Sequence, residues 1–147
     1  MAAAGAYAAV KKLYDLSPAG QLKAAEKYAA DLKETADAAK EASRAYEDIQ
    51  SKYKDFSESI TKSKTNEERS TAIQSRNDYL LSLIKEDATY AKYISSAINS
   101  GGEIVLTLDE EAFAKAVEEK DTAATKAERD SYFAEADAEL KRAYKLG

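Results

Sequence analysis

Small and apolar residues recur along the first half of the chain in alternating steps of three and four: Leu22, Ala25, Ala29, Leu32, Ala36, Ala39, Ser43 and Tyr46. That alternation is the heptad seam of a helix that pairs with other helices, and it predicts one long helix over residues 18–62. Past Tyr46 the seam continues through Ile49, Tyr53, Phe56 and Ile60, with two steps of three in succession. Such a stammer overwinds a coiled coil locally. The first stretch is lined by alanine and suits close approach, whereas the second is bulkier and aromatic. A helix of this length would reach roughly 65 Å, so the pattern predicts an elongated molecule. Ahead of it, residues 1–14 read as a short helix with Val10, Leu13 and Tyr14 at its apolar end. Ser17 is a good N-cap and Pro18 suits the first helical position, where its missing N–H costs nothing.

Thr65 followed by Glu68 fits a capping box, in which each side chain satisfies the other's free backbone N–H, and so starts a helix over 66–98. One seam of that helix holds Ile73, Asn77, Leu80, Ile84, Asp87, Ala91, Ile94 and Ile98; a second stripe holds Tyr79, Leu83, Tyr90, Tyr93 and Ala97. Two adjacent stripes suit contact with two neighbouring helices. Asn99-Ser100-Gly101-Gly102 supplies a glycine for the left-handed cap that ends it. The apolar, β-branched run Glu103-Ile104-Val105-Leu106-Thr107-Leu108 reads as a short extended or strand segment. Asp109 caps a last helix over 110–144, with Leu108 stapled onto Phe113. Its apolar phase fades across residues 118–122 and resumes at Phe133, Ala136 and Leu140, predicting a bend or an exposed middle there. The expected fold class is all-α. It is an elongated antiparallel bundle of three long helices plus a short N-terminal helix and one extended segment, in a single domain over 1–147.

Composition narrows the function. With 22 basic and 27 acidic residues the formal net charge is -5, and the basic residues are dispersed, which disfavours nucleic acid. The opening MAAAGAYAAV lacks the charged start and Leu-rich centre of a signal peptide and reads as helix; no run approaches the ~20 apolar residues of a membrane span. The chain has no cysteine and no histidine. It therefore lacks thiolate chemistry, the commonest general base and the commonest transition-metal ligand. Glu110-Glu111 and Glu118-Glu119 read as surface charge offsetting a helix dipole. No nucleophile elbow or phosphate loop is present. The expectation is a protein that is not an enzyme and takes no cofactor, metal or small-molecule substrate.

Contact is the remaining mode of action. Alanine buries little area per residue, so ten tyrosines must fill a thin core, and a thin core favours assembly. The candidate seam residues are Leu22, Ala29, Leu32, Ala36, Tyr46, Asn77, Leu80, Ile84 and Asp87. Polar Asn77 and Asp87 on an apolar seam are expected to set register and pairing, so that Asn77→Leu would raise stability and loosen specificity. No second segment reads as a strand. Ile104, Val105, Leu106 and Leu108 should therefore either lie over the bundle as an extended connection or pair with a strand of another chain. Both features point to protein partners, in a homo-oligomer or a larger assembly such as a filament or virion.

The run Arg76-Asn77-Asp78-Tyr79-Leu80-Leu81-Ser82-Leu83, followed by Asp87-Ala88 and Tyr93, resembles a stretch in the third long helix of F-BAR membrane-curving domains. The Tyr46-to-Phe56 segment is similar in character. The resemblance covers part of the chain and implies a helical module that binds anionic membranes, which is the runner-up reading. The chain departs from the family in being shorter than a full F-BAR module and acidic, where the concave face of that module needs clustered basic residues.

Overall fold

The computed structural model describes residues 18–145, and the expected helix over residues 1–14 lies outside them. The described elements run α1 (Pro18–Thr61), α2 (Asn66–Glu86), a 3-10 turn (Ala88–Tyr93), β1 (Ile94–Ile98), β2 (Ile104–Leu108) and α3 (Glu110–Lys145). This is an all-α bundle carrying one short two-stranded sheet. The described residues divide into two compact units, residues 18–42 with 121–145, and residues 43–120.

In the first unit α1 and α3 run antiparallel. Arg142 Nε donates to Glu26 Oε1 at 3.2 Å, and Lys40 pairs with Glu128. Along the same helix pair Ala25, Ala29 and Ala36 are buried on α1, and Ala124, Ser131, Ala134 and Ala138 on α3. Leu22 and Leu32 are half-buried beside them. Small facing side chains let two helix backbones approach closely. The ion pairs are half-exposed and contribute at most about 1 kcal/mol each; they mark the register, and the alanine seam makes the contact.

The second unit is built on aromatic packing. Ile49 and Tyr53 of α1, Leu80 and Leu83 of α2, Leu108, and Phe113 and Val117 of α3 form its buried cluster, with Tyr46, Tyr79, Tyr90, Tyr93, Ile94 and Leu106 against it. Phe113 is fully buried. Its ring lies parallel to Tyr46 at 5.1 Å and edge-on to Tyr93 at 5.3 Å. Asp109 caps α3 by accepting from Ala112 N at 3.1 Å, which places Leu108 and Phe113 as a hydrophobic staple. Thr65 caps α2, accepting from Glu68 N at 3.0 Å, while Glu68 Oε2 accepts from Lys64 N at 2.9 Å. The reciprocal half of the box thus reaches one residue ahead of the cap. α3 is continuous, and Glu118, Glu119 and Thr122 are exposed in its middle.

The helix expected over 66–98 ends at Glu86. Asp87 takes an extended conformation, and its carboxylate accepts from Thr89 N at 3.0 Å and Thr89 Oγ1 at 2.8 Å. Short polar side chains compete in this way with the helical backbone, and Asp87 is a cap, not a seam residue. Residues 94–98 are consequently a strand, paired antiparallel with 104–108 from Ile94↔Leu108 to Ile98↔Ile104. The strand predicted to lack an internal partner has one. Asn99-Ser100-Gly101-Gly102 is the hairpin turn: Asn99 Oδ1 accepts from Gly101 N and Glu103 N, and Gly102 takes φ 79.

The alanine seam yields a direct test. Ala36→Leu should lower the melting temperature by an amount equivalent to about 1–3 kcal/mol, as overpacking does, while Ala38→Leu on the exposed face should not. Thermal melts followed by circular dichroism that leave both variants level with the wild type would remove the close seam.

Candidate functional site

The hairpin and the helix beneath it carry the most specific polar geometry among the described residues. In an antiparallel strand successive residues direct their backbone N–H and C=O to opposite edges. Asn99 N donates to Glu103 O and Asp109 N donates to Tyr93 O, so residues 95, 97, 105 and 107 bond across the hairpin. Ile104 and Leu106 therefore present their backbone groups at the outer edge of β2. Asn77 meets them there. Its Nδ2 donates to Ile104 O at 2.8 Å, and its Oδ1 accepts from Leu106 N at 2.8 Å. One carboxamide thus stands in for a residue of a third strand. Ser70 Oγ donates to Glu103 Oε2 at 2.5 Å, tying the turn to the first part of α2.

The outer edge of β1 is different. Ile94 N donates to Ala91 O, but the backbone groups of Ser96 and Ile98 find no partner among the described residues. Beside them Ile98 and Ile104, directly opposite each other, are 72% and 60% exposed. Neither strand carries a charged residue.

The candidate seam residues separate into distinct places. Leu22, Ala29, Leu32 and Ala36 lie on the α1 seam of the first unit, while Tyr46 and Leu80 belong to the aromatic cluster of the second. The buried face of α2 runs through Ile73, Arg76, Leu80 and Leu83, between the two stripes read from the sequence, leaving Asn77 and Ile84 half-buried at its border and Asp87 exposed. On β2, Leu108 is buried, Val105 and Leu106 are half-buried and Ile104 is exposed.

Sequence reasoning missed β1 and Arg76. β1 carried a signal, a turn sequence flanked on both sides by β-branched residues, that Ile94 and Ile98 also satisfied at helical spacing. The Arg76 guanidinium lies over the Tyr53 ring at 5.2 Å and donates from Nη1 to Ser57 Oγ at 3.2 Å; its buried Nε has no partner among the described residues.

Three tyrosines of the second unit, Tyr46, Tyr79 and Tyr90, are held protonated more strongly than a free phenol. Desolvation, followed by the charge of Asp48, pushes the Tyr79 phenol up to about 12. Burial also raises Tyr46 and Tyr90. The two bonds from Thr89, the backbone one first, hold the Asp87 carboxyl below its usual range. A groove of about 650 Å³ in this unit is lined by Glu47, Gln50, Ser51, Lys54, Glu110 and the edges of Tyr53, Leu108 and Phe113. Among the described residues no three acidic side chains gather as a metal site, and no helix is long and apolar enough to cross a membrane.

No protein-family model matches the chain, and neither a curated protein nor a solved structure does. The F-BAR resemblance accordingly gains no support, and the α2 helix that carries it stops at Glu86.

Two measurements test this site. Asn77→Leu should lower stability by about 1–3 kcal/mol, reversing the expectation from the sequence, because it strands the Ile104 carbonyl and the Leu106 N–H. Denaturant melts and faster amide exchange at Leu106 would show it; a variant as stable as the wild type would make the bonds dispensable. The second concerns pH. A phenol whose folded pKa exceeds its unfolded value is held protonated by the fold. Its contribution is therefore complete below pH 10 and lost as pH rises toward about 12. Tyr79→Phe should flatten part of the alkaline fall in melting temperature, and an unchanged alkaline limb would show that Tyr79 does not titrate with unfolding.

Proposed function

We propose that this chain is a non-enzymatic structural or assembly protein that acts by packing against other protein chains. The observation that carries the reading is the double-faced α3. On the C-terminal part of that helix Ala124, Ser131, Ala134 and Ala138 are buried. At about 100° per residue, Phe133, Leu140 and Tyr144 fall on the opposite side. They are 61%, 56% and 78% exposed, and no described residue covers them. Scattered exposed hydrophobic residues are ordinary, but a stripe at helical spacing is the form a helix contact takes. Charges around the stripe are mixed, Lys126 and Arg129 against Asp130 and Asp137. That balance favours a protein neighbour over an anionic membrane, which calls for clustered basic residues.

The test is the double variant Phe133→Ser, Leu140→Ser, with mass measured by light scattering at several concentrations. Substitutions at exposed positions usually change stability by no more than about 0.5 kcal/mol, so the melting temperature should hold while the assembled mass falls. An unchanged mass with a lowered melting temperature would place the stripe inside the chain's own fold and overturn the reading.

A further inference from the structure

The hairpin has two outer edges, and the structure treats them oppositely. The β2 edge is closed by the Asn77 carboxamide, and the turn beside it is held by Ser70. The β1 edge has no such cover. Proteins ordinarily blunt an open edge with lysine, proline or a bulge, because an unblunted edge pairs with other chains. β1 is Ile94-Ser95-Ser96-Ala97-Ile98: it holds no charge and no proline, and its register with β2 is uninterrupted. This neutrality stands out in a chain that is 33% charged. Two copies carrying a net charge of -5 each repel over most of their surfaces, and β1 is a place where they can meet without that opposition.

We propose that the outer edge of β1 is a self-pairing edge, at which two copies of this chain join antiparallel about Ser96 to form one four-stranded sheet. This rests on the assembly reading above and names the partner as a second copy. The hydrogen-bond pattern fits a two-fold axis. Ser96 directs both its N–H and its C=O outward, so two Ser96 residues placed opposite each other exchange both bonds, as a hydrogen-bonded antiparallel pair does. The next outward groups are the Ile98 N–H and the Ile94 C=O. In this register each Ile98 N–H donates to the Ile94 carbonyl of the other copy, while the Ile94 N–H keeps its bond to Ala91 O. The side chains agree with the backbone. The sequence from 94 to 98 is nearly the same in both directions, isoleucine at each end and small residues between. Ile98 of one copy therefore stands beside Ile94 of the other. A row of Ile104, Ile98, Ile94 and Leu108 then crosses all four strands, and its symmetry mate crosses beside it. The exposed pair Ile98 and Ile104 becomes part of a continuous aliphatic surface. An interface of this kind is isologous, the same patch used twice, and it closes at two copies without propagating.

The chain's lack of cysteine makes the geometry testable by a single introduced thiol. Opposed residues of a hydrogen-bonded pair have Cα atoms about 5.5 Å apart, within the range a disulfide spans. Under mild oxidation Ser96→Cys should give a covalent dimer of twice the 16.0 kDa chain mass. Ser95→Cys, one residue along and opposed to position 97, should cross-link far more slowly. Ile98→Lys, a change at an exposed position that leaves the hairpin intact, should shift the non-covalent dimer at least tenfold toward monomer by sedimentation equilibrium. Amide exchange at Ser96 and Ile98 should slow as the wild-type concentration rises. A wild type that stays monomeric at every concentration overturns the proposal. So does an assembly whose mass is insensitive to Ile98→Lys and whose Ser96 amide exchanges at the monomer rate. If that same assembly is lost in the Phe133→Ser, Leu140→Ser variant, the assembly function stands and the edge proposal alone fails.

Discussion

The second unit is organised around the burial of Phe113. Its ring, fully removed from water, meets Tyr46 from α1 face to face and Tyr93 from the 3-10 turn edge-on. Complete burial of such a side chain contributes about 1.5–3 kcal/mol, and favourable ring pairs add about 0.5–1.5 kcal/mol each. Leu108, one position before the Asp109 cap, shares this cluster, so the residues that start α3 also fix the end of β2. The strand in turn presents Ile104 and Leu106 to Asn77 on α2. Helix start, strand position and edge closure are therefore consequences of one packed ring. Tyr46, Tyr79 and Tyr90 supply ring volume that alanine cannot, at the cost of hydroxyls that resist ionisation once desolvated.

Local, repeated patterns proved the most legible in the sequence. Every α1 position from Leu22 to Ile60 on the predicted seam is buried or half-buried, because a helix face depends only on a period of 3.6 residues and the seam keeps to it for some forty residues. The caps at Thr65 and Asp109 were legible for the same reason, since each involves residues three or four apart. β1 was not. Ile94 and Ile98 are separated by four residues, which suits one helix face and equally the two ends of a five-residue strand, so the apolar positions do not choose between them. Asp87 chooses, by bonding Thr89 and turning the backbone out of the helix. Periodicity treats such a residue as a polar interruption when it is a stop.

Asn77 shows the same limit from another side. A polar residue among apolar ones at helical spacing suggests a buried pairing device, and Asn77 does pair. Its partner is the backbone edge of a strand 27 and 29 residues away, and nothing local in the sequence specifies that. The displacement of the buried face of α2 by one position, to Arg76 and Leu83, has the same origin. The helix is turned to bring Asn77 to the strand and Arg76 over the Tyr53 ring.

Closure of the β2 edge also bears on what an open β1 edge means. A hairpin packed on one helix has two rows of unpaired backbone groups, and solvent can satisfy both. Were water sufficient for this hairpin, neither edge would need a side chain, and Asn77 could be any residue that tolerates the border of a helix face. Instead one edge is bridged by a carboxamide whose two polar ends match the spacing of a neighbouring strand. The other combines outward N–H and C=O groups with a strand that carries no charge and one exposed isoleucine, Ile98. Bridging the β2 edge removes one of the two ways a second strand could add. A hairpin with one open edge can add one further strand and no more, which is the condition for a closed dimer instead of an open stack.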